Sequence, residues 1–284
     1  MKKQWLFMIS MVIFGTMAPF VRQVGVSSGE LALYRAVLAL LLIGPALLIT
    51  KQKLPAKQIK KALPLLLLSG GAMGFNWLLL FQAYKYTTVS VATLSYYFAP
   101  VLVTVLCPIL FKEKMKPINW LCFGLSTLGI ILLTGLGDPT KGQNHLIGIG
   151  FGLGAAVLYA SVMILNKYIK DVPGLQRTFF QFLAAAAVLL PYVLVTSGVT
   201  LEHLNTAGWA CLLVLGLVHT GFTYCLYFSS IKAIPGQKAA ILSYIDPLVA
   251  VVISVTVLQE AISVPQIIGG CLILGFTLLN ELKS

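Results

Sequence analysis

Long apolar segments follow one another along almost the whole chain and are separated by short polar segments. A helix needs about 20 residues to cross the hydrocarbon core of a bilayer, which is about 30 Å thick. Ten segments reach or approach this length, near residues 4–22, 29–49, 62–84, 88–111, 117–135, 146–168, 175–197, 207–230, 237–258 and 263–280. The pattern predicts an all-α integral membrane protein with ten transmembrane helices and no separate soluble domain.

Composition and charge agree with this prediction. Hydrophobic residues make up 58% of the 284 residues and charged residues only 10%, whereas soluble domains carry about a quarter charged residues. The net charge of +12 would favour a nucleic-acid partner in a soluble protein. Here, however, most of the basic residues fall on the side of the membrane that also holds both termini. They are Lys2, Lys3, Lys51, Lys53, Lys57, Lys60, Lys61, Lys112, Lys114, Lys116, Lys167, Lys170, Arg177, Lys232, Lys238 and Lys283. The positive-inside rule therefore predicts both termini in the cytoplasm, in the cytoplasmic (inner) membrane, with no nucleic-acid partner.

The chain contains an internal repeat. The stretch from Gly74 to Glu113 reappears without a gap as the stretch from Gly221 to Glu260, and ten of the forty aligned positions are identical. Since each half holds five predicted spans, an odd number, the second copy enters the membrane in the opposite orientation. We predict two inverted-topology repeats, residues 1–137 and 144–284, which is a plan typical of secondary transporters that bind substrate near the membrane midplane.

Residues of this repeat resemble a known family. The first half carries Tyr97-Phe98-Ala99-Pro100, Glu113, Gly124 and Gly129, and the second carries Tyr244-Ile245-Asp246-Pro247, Glu260, Gly269, Gly270 and Gly275. With Arg35 in the second predicted helix, they resemble two copies of the EamA unit of the drug/metabolite transporter superfamily, over essentially the entire chain. The resemblance implies that helices 1–4 and 6–9 surround a central cavity, while the fifth and tenth helices pack outside it.

The resemblance also implies a function. Members of similar appearance move amino acids, purines, other small metabolites or drugs. We therefore expect a secondary transporter of small organic metabolites, an exporter of amino acids or related compounds, that works by alternating access. Its expected partners are the small-molecule substrate and the lipid bilayer. No cofactor and no metal are expected.

Polar residues that only one half carries are the first candidates for the transport site. Asp246 aligns with Ala99, and lies near the middle of the ninth predicted helix, where a carboxylate costs about 2.5–3.5 kcal/mol on insertion scales. Such a residue should face a cavity or a partner. It is a candidate proton carrier or counter-ion for a cationic substrate. The alternative is a structural role, in which Asp246 or nearby groups satisfy the backbone carbonyl left free by Pro247.

Two further residues break the symmetry of the halves. His219 aligns with Ala72, and it is a candidate for proton coupling because histidine titrates near physiological pH. The alternative is a hydrogen-bonded packing role. Arg35 aligns with Gln181, and its guanidinium is suited to bind a substrate carboxylate in a bidentate manner. The alternative is that its long side chain extends to water.

Prolines, aromatic residues and amides complete the candidate site. Pro100 and Pro247 occupy matching positions in helices 4 and 9, where each removes a backbone hydrogen bond and can open a kink or gate. Tyr96, Tyr97 and Tyr244 are candidates for apolar contact with a substrate, or for ordinary core packing. Asn76 and Gln181 are candidates to line the cavity, or to join neighbouring helices.

Two other classes of function remain as alternatives. One is a membrane-embedded enzyme, and the other is a membrane scaffold or sensor that transports nothing. The run from Gly135 to Asp138 matches the GxGD signature of intramembrane aspartyl proteases, but it falls in a predicted loop followed by Pro139, whereas a catalytic dyad needs two carboxylates together within the bilayer. We therefore predict that the protein is not an enzyme.

Overall fold

The computed structural model describes residues 2–49, 56–111, 117–134, 143–169 and 171–283, and these residues contain helices and no strands. Glu113, the GxGD run and the predicted boundary between the repeats lie outside them. The α-helices are α1 (Lys2–Gly15), α2 (Met17–Gln23), α3 (Ser28–Ile49), α4 (Ala56–Tyr86), α5 (Val89–Tyr96), α6 (Ala99–Phe111), α7 (Pro117–Leu133), α8 (Gln143–Tyr168), α9 (Gly174–Thr196), α10 (Thr206–Leu213), α11 (Thr223–Ile231), α12 (Gly236–Ser243), α13 (Ile245–Thr256) and α14 (Val264–Lys283). A π-helical segment, Val214–Phe222, joins α10 to α11.

Seven helical stretches are candidate membrane spans by length and composition. Helices or joined helices long and apolar enough to cross a bilayer are Lys3–Gln23, Ser28–Ile49, Ala56–Tyr86, Val89–Cys107, Gln143–Tyr168, Gly174–Thr196 and Thr206–Ile231. The other three predicted spans coincide with shorter apolar helices, Pro117–Leu133, Ile241–Thr256 and Val264–Asn280. In the described part of the chain, every predicted span therefore has a helical counterpart, and seven of these meet the length needed for crossing.

Three of the predicted spans are broken in the same way. The breaks fall at Thr16, at Tyr97–Phe98 and at Tyr244, each about three residues before a proline, namely Pro19, Pro100 or Pro247. A proline has no backbone N–H to donate to the carbonyl four residues earlier, and its ring clashes with that carbonyl. Each proline therefore favours a helix that ends and restarts, and each broken span contains two half-helices.

Helices from the two halves of the chain interleave. Helix α4 packs against α8 and α9, α3 against α9 and the π-helical segment, and α1 against α11 and α13. Helix α7 packs chiefly on α14. Their closest approach is at Gly129 and Gly269, where a Cβ on either glycine would meet the backbone carbonyl of the other. The core of the protein is thus a junction between the two halves.

Candidate functional site

A cavity of about 390 Å³ lies where the half-helices of both halves meet. Eight of the ten predicted site residues line it, namely Arg35, Asn76, Tyr96, Tyr97, Pro100, Gln181, Tyr244 and Asp246. The structure does not place His219 and Pro247 among the lining residues. The cavity therefore brings together most of the residues that were selected from sequence positions far apart.

Asp246 lies in the first turn of α13, directly after the break at Tyr244. The Tyr97 hydroxyl donates a hydrogen bond of 2.6 Å to Oδ2 of Asp246. Tyr97 itself lies at the corresponding break between α5 and α6. Among the described residues, Asp246 is the only carboxylate that lines the cavity. It is held by a hydroxyl from the other half of the chain, at the point where two broken helices face each other.

Arg35 supplies a positive charge to the same cavity. It is almost fully buried, with 3% of its surface exposed, and its guanidinium carbon lies 4.4 Å from the centre of the Trp77 ring. Its Nε donates a 2.5 Å hydrogen bond to Oγ1 of Thr220. Its buried Nη1 has no hydrogen-bond partner within the described part of the chain. Arg35 thus lines the cavity and carries a buried donor without a hydrogen-bond partner among the described residues.

Arg35 and Asp246 line the same cavity from different halves of the chain. The ion pairs found among the described residues do not include one between them. Each is instead held by a neutral hydroxyl, from Thr220 and Tyr97 respectively. The Asp246 carboxylate and the Arg35 guanidinium thus both line the cavity without a direct ion pair between them.

The two candidate amides also bridge the halves. Nδ2 of Asn76 donates a 2.6 Å hydrogen bond to the carbonyl of Ala155. Nε2 of Gln181 donates bonds of 2.8 Å to Oγ of Ser69 and to Oδ1 of Asn166. Both amides are buried and both line the cavity, so they join helices of the two halves and form part of the cavity wall at the same time.

The ends of three half-helices reach the cavity. Gly15, Tyr96 and Ser243 are the last residues of α1, α5 and α12, and all three line the cavity. The carboxyl end of a helix carries a partial negative charge because its last carbonyls have no helical N–H partners. Together with the Asp246 carboxylate, these ends make one part of the cavity favourable for a cationic group.

His219 packs outside the cavity. In the π-helical segment, its Nδ1 lies 3.3 Å from the carbonyl of Val214, and its Nε2 lies 3.2 Å from Oγ1 of Thr16. The ring of Phe20 covers it at a centroid distance of 4.9 Å. The histidine therefore connects the break between α1 and α2 to the π-helical segment.

Several aromatic residues of the cavity were missed in the sequence. Trp77 and Tyr224 both line it, and each packs edge-on against Phe182, at 5.1 and 5.2 Å. A signal was available, because Trp77 and Tyr224 occupy equivalent positions in the internal repeat. Thr220 was also missed, and no sequence signal distinguishes it from other threonines in apolar helices.

One end of the molecule is closed by a network that crosses the halves. Nη2 of Arg22, in the last turn of α2, lies 2.5 Å from Oε1 of Glu260. The same Nη2 donates to the carbonyls of Tyr84 and Thr87 at 3.1 and 3.2 Å. Glu260 also accepts hydrogen bonds from the N–H of Val89, at 2.8 Å, and from the Ser254 hydroxyl.

A second contact ties the same end together. Glu30 in the first turn of α3 accepts hydrogen bonds from the backbone N–H and the hydroxyl of Thr200, at 2.7 and 2.9 Å. The opposite end is different, because the cavity reaches Asn166, Arg177 and Phe228 there. The cavity thus extends from the helix breaks away from the Arg22 end.

Comparisons with known proteins agree with this architecture. The profile of the EamA-like transporter family matches residues 1–135 and again residues 146–281. An uncharacterized transporter, YxxF, of Bacillus subtilis (strain 168) is 31% identical over 247 residues, which cover 86% of this chain and 78% of the relative. An uncharacterized transporter of Archaeoglobus fulgidus is 29% identical over 275 residues, which cover 95% of this chain and 93% of the relative.

The fold of this chain is similar to that of one protein whose crystal structure has been solved. Its TM-score is 0.67 at 16% identity, and the match covers 97% of this chain and 96% of that chain. At this level of identity the likeness shows the fold alone. The two family matches, by contrast, account for nearly the entire sequence.

Proposed function

Since this chain belongs to the EamA-like transporter family, we propose that it is a secondary transporter that exports amino acids or related zwitterionic metabolites. Membership of the family and the names of its relatives support a transport role in a membrane. The observation that carries the finer proposal is the cavity between the halves, which the Asp246 carboxylate and the Arg35 guanidinium line, each hydrogen-bonded across the junction.

The cavity offers a complement to each part of an amino acid. The ammonium group binds near Asp246 and the carboxyl ends of the half-helices, where negative charge accumulates. The carboxylate binds the free donor of Arg35 in a charge-assisted hydrogen bond. Tyr96, Tyr97 and Tyr244 supply apolar surface for the side chain. A volume of about 390 Å³ is within the range of small-molecule sites.

We place ten spans in the membrane as two inverted repeats, residues 1–137 and 144–284. Helix α7 has 17 residues, a length of about 25 Å, and bilayers thin locally around helices of this length. Helix α13 continues α12 across the break at Tyr244, and α14 has 20 residues. In this arrangement the protein lies in the inner membrane with both termini in the cytoplasm. The Arg22 end of the molecule then faces the outside.

This orientation supports alternating access in the export direction. The Arg22–Glu260 pair joins the halves at the proposed outer end, and the cavity extends toward the proposed inner end. This arrangement supports loading of the substrate from the cytoplasm. Outward release then requires the outer network to open and the inner end to close. The three broken helices provide joints near the cavity for such a motion, since half-helices can tilt independently.

We place proton coupling on Asp246. Its carboxylate is the acidic group of the cavity, so a proton and a substrate ammonium compete for it. A proton taken up from outside and released inside while the substrate moves out gives antiport. His219 has no place in this scheme, because it contacts Thr16 and Phe20 and does not line the cavity.

Counterflow in proteoliposomes tests the proposal. Purified protein is reconstituted with an unlabelled amino acid inside, and the entry of the same labelled compound is followed for a panel of amino acids and their matched amines. We expect exchange of at least one amino acid and faster export when the compartment corresponding to the outside is acidic. Conversion of a compound without movement indicates a membrane-embedded enzyme, and neither movement nor conversion indicates a scaffold or sensor. Either result would contradict the proposed function.

A further inference from the structure

Arg35 depends on a single side-chain hydroxyl for its position. The Nε of Arg35 donates to Oγ1 of Thr220 at 2.5 Å, and no other hydrogen bond holds this guanidinium within the described residues. The face of the guanidinium rests on Trp77. The same guanidinium carbon lies 5.6 Å from the centre of the Phe81 ring. Contacts with ring faces do not fix how a planar group is turned within its own plane, so the bond to Thr220 sets this rotation.

The π-helical segment orients this hydroxyl. Thr220 has one hydroxyl hydrogen, and it is donated to the carbonyl of Leu215, five residues earlier, at 2.8 Å. Only the lone pairs of Oγ1 then remain, and they accept from the Nε of Arg35. In a regular α-helix this carbonyl would accept from a backbone N–H one residue earlier in the chain. The widened turn therefore brings the threonine hydroxyl into a position to accept a bond from Arg35.

The equivalent part of the first half lacks both features. Thr220 aligns with Met73, and Met73 lies within the uninterrupted α-helix α4. The π-helical turn and the hydroxyl thus occur only in the half of the protein that faces Arg35. Single π-helical turns are frequent at functional sites, and this one supplies an acceptor to the buried cation of the cavity.

We propose that Thr220 is a positioning residue for carboxylate binding: it receives the Nε of Arg35 and so directs the free Nη1 edge toward the substrate. The proposal rests on the proposed function, in which Arg35 binds the carboxylate of an amino acid. Thr220 does not itself contact the substrate. Its effect is therefore selective for substrates that carry a carboxylate.

The chain provides a matched control. Oγ1 of Thr223 donates to the carbonyl of Val218, again five residues earlier, at 2.7 Å. Like Thr220, it is fully buried, but it makes no hydrogen bond to Arg35. Thr220→Val and Thr223→Val remove the same kind of bond to the same kind of carbonyl, and only the first removes the acceptor of Arg35. Thr220→Ser keeps that acceptor.

Transport of a matched pair of substrates measures the selectivity. Phenylalanine and phenethylamine differ only in the carboxylate. In Thr220→Val we expect KM for phenylalanine to rise about tenfold, the effect of one hydrogen bond to a charged group, with KM for phenethylamine unchanged. Thr220→Ser and Thr223→Val keep both KM values within about twofold of the wild type. An equal rise for both substrates in Thr220→Val, or the same selective rise in Thr223→Val, would overturn the proposal.

Nitrogen-15 NMR tests the positioning without any substrate. The chain has three arginines, Arg22, Arg35 and Arg177, so the Nε–H spectrum holds few signals, and Arg35→Gln assigns the one of interest. We expect the hydrogen-bonded Nε–H of Arg35 to exchange slowly with water in the wild type and in Thr223→Val, and rapidly in Thr220→Val. Unchanged exchange in Thr220→Val rejects the positioning role. A wild type that shows this protection but moves no amino acid contradicts only the proposed function.

Discussion

Nη2 of Arg22 lies 2.5 Å from Oε1 of Glu260, and this ion pair joins the end of α2 to the loop between α13 and α14. The two residues belong to different halves of the chain, and neither lines the cavity. Opening of the cavity toward this end requires the pair to separate. In the proposed transport cycle, the contact therefore favours the state that is closed at this end.

Neutralising this pair should expose the cavity at the Arg22 end. We expect Arg22→Gln and Glu260→Gln to shift the population toward the state open at that end by about fivefold, the effect of an ion-pair contribution of about 1 kcal/mol. The measurement is the rate at which a membrane-impermeant maleimide, added at the outer face, labels a cysteine introduced at Met73 in the cavity wall. The five native cysteines are replaced by alanine beforehand.

Lys85→Gln is the matched control for this experiment. Lys85 is a cation at the same end, but its Nζ donates to the carbonyl of Val26 within the same half of the chain. Its removal should leave the labelling rate unchanged. Equal acceleration in Lys85→Gln and in the two pair variants would show that loss of the contact between the halves does not control access.

Asp246→Asn should uncouple transport from the proton gradient. Asparagine keeps the size of the side chain and an oxygen that accepts from the Tyr97 hydroxyl. Its amide does not titrate, so it cannot take up and release a proton. In proton antiport the wild type exports faster when the outside is acidic, and this acceleration should disappear in the variant, as followed by efflux at several external pH values. Tyr97→Phe keeps the carboxylate and should retain the acceleration. Normal transport with unchanged pH dependence in Asp246→Asn would refute coupling through this residue.

The contact between α7 and α14 should be sensitive to a single methyl group. A Cβ at Gly129 or Gly269 would meet the backbone of the other helix, so Gly129→Ala and Gly269→Ala should each lower the free energy of unfolding by about 1–3 kcal/mol. The measurement is thermal unfolding in detergent. Gly124→Ala and Gly275→Ala are the controls, because nothing lies within 4 Å of a Cβ at either position. Equal losses at all four positions would show that the close approach is not what these glycines provide.

The protein should be more stable with glycine than with alanine at position 259. Its φ of 55° is left-handed, a conformation that costs a residue with a side chain about 1–2 kcal/mol. Its Nε2 also donates to the carbonyl of Thr256 at 2.5 Å, so Gln259→Ala is the control that removes the hydrogen bond without relieving the backbone. We expect Gln259→Gly to unfold at a higher temperature than Gln259→Ala. The reverse order would show that the backbone at this position is not strained.

The proline positions show how far local sequence predicts this fold. Pro100 and Pro247 were selected because each removes a helical hydrogen bond, and the helices are broken about three residues before both. Pro19 obeys the same rule in the first span. Pro45, Pro64 and Pro191 lie inside continuous helices, because neighbouring helices and small adjustments of the backbone can satisfy the groups a proline frees. The distinction between the two outcomes depends on packing and not on the proline itself.

The candidate polar residues divide in a similar way. Asp246 and Arg35 reach the cavity, while His219, chosen by the same argument, packs against Thr16 and Phe20. All three are polar residues in apolar helices without an equivalent in the other half. Their alignment does not report which direction each side chain takes around its helix. In a π-helical turn the side chain of His219 also points in a different direction around the helix axis from the one that a regular α-helix would give it.

The sequence by itself determined which segments are apolar enough to form helices in a membrane and that two similar halves exist. These properties are local or additive along the chain, because the transfer of a helix into lipid depends on the sum of its side chains. Only the tertiary structure decided that Tyr97 meets Asp246, that Thr220 meets Arg35 and that Arg22 meets Glu260. Such contacts join residues from different halves of the chain, and they depend on the rotation and crossing of helices, which packing sets and no local pattern records.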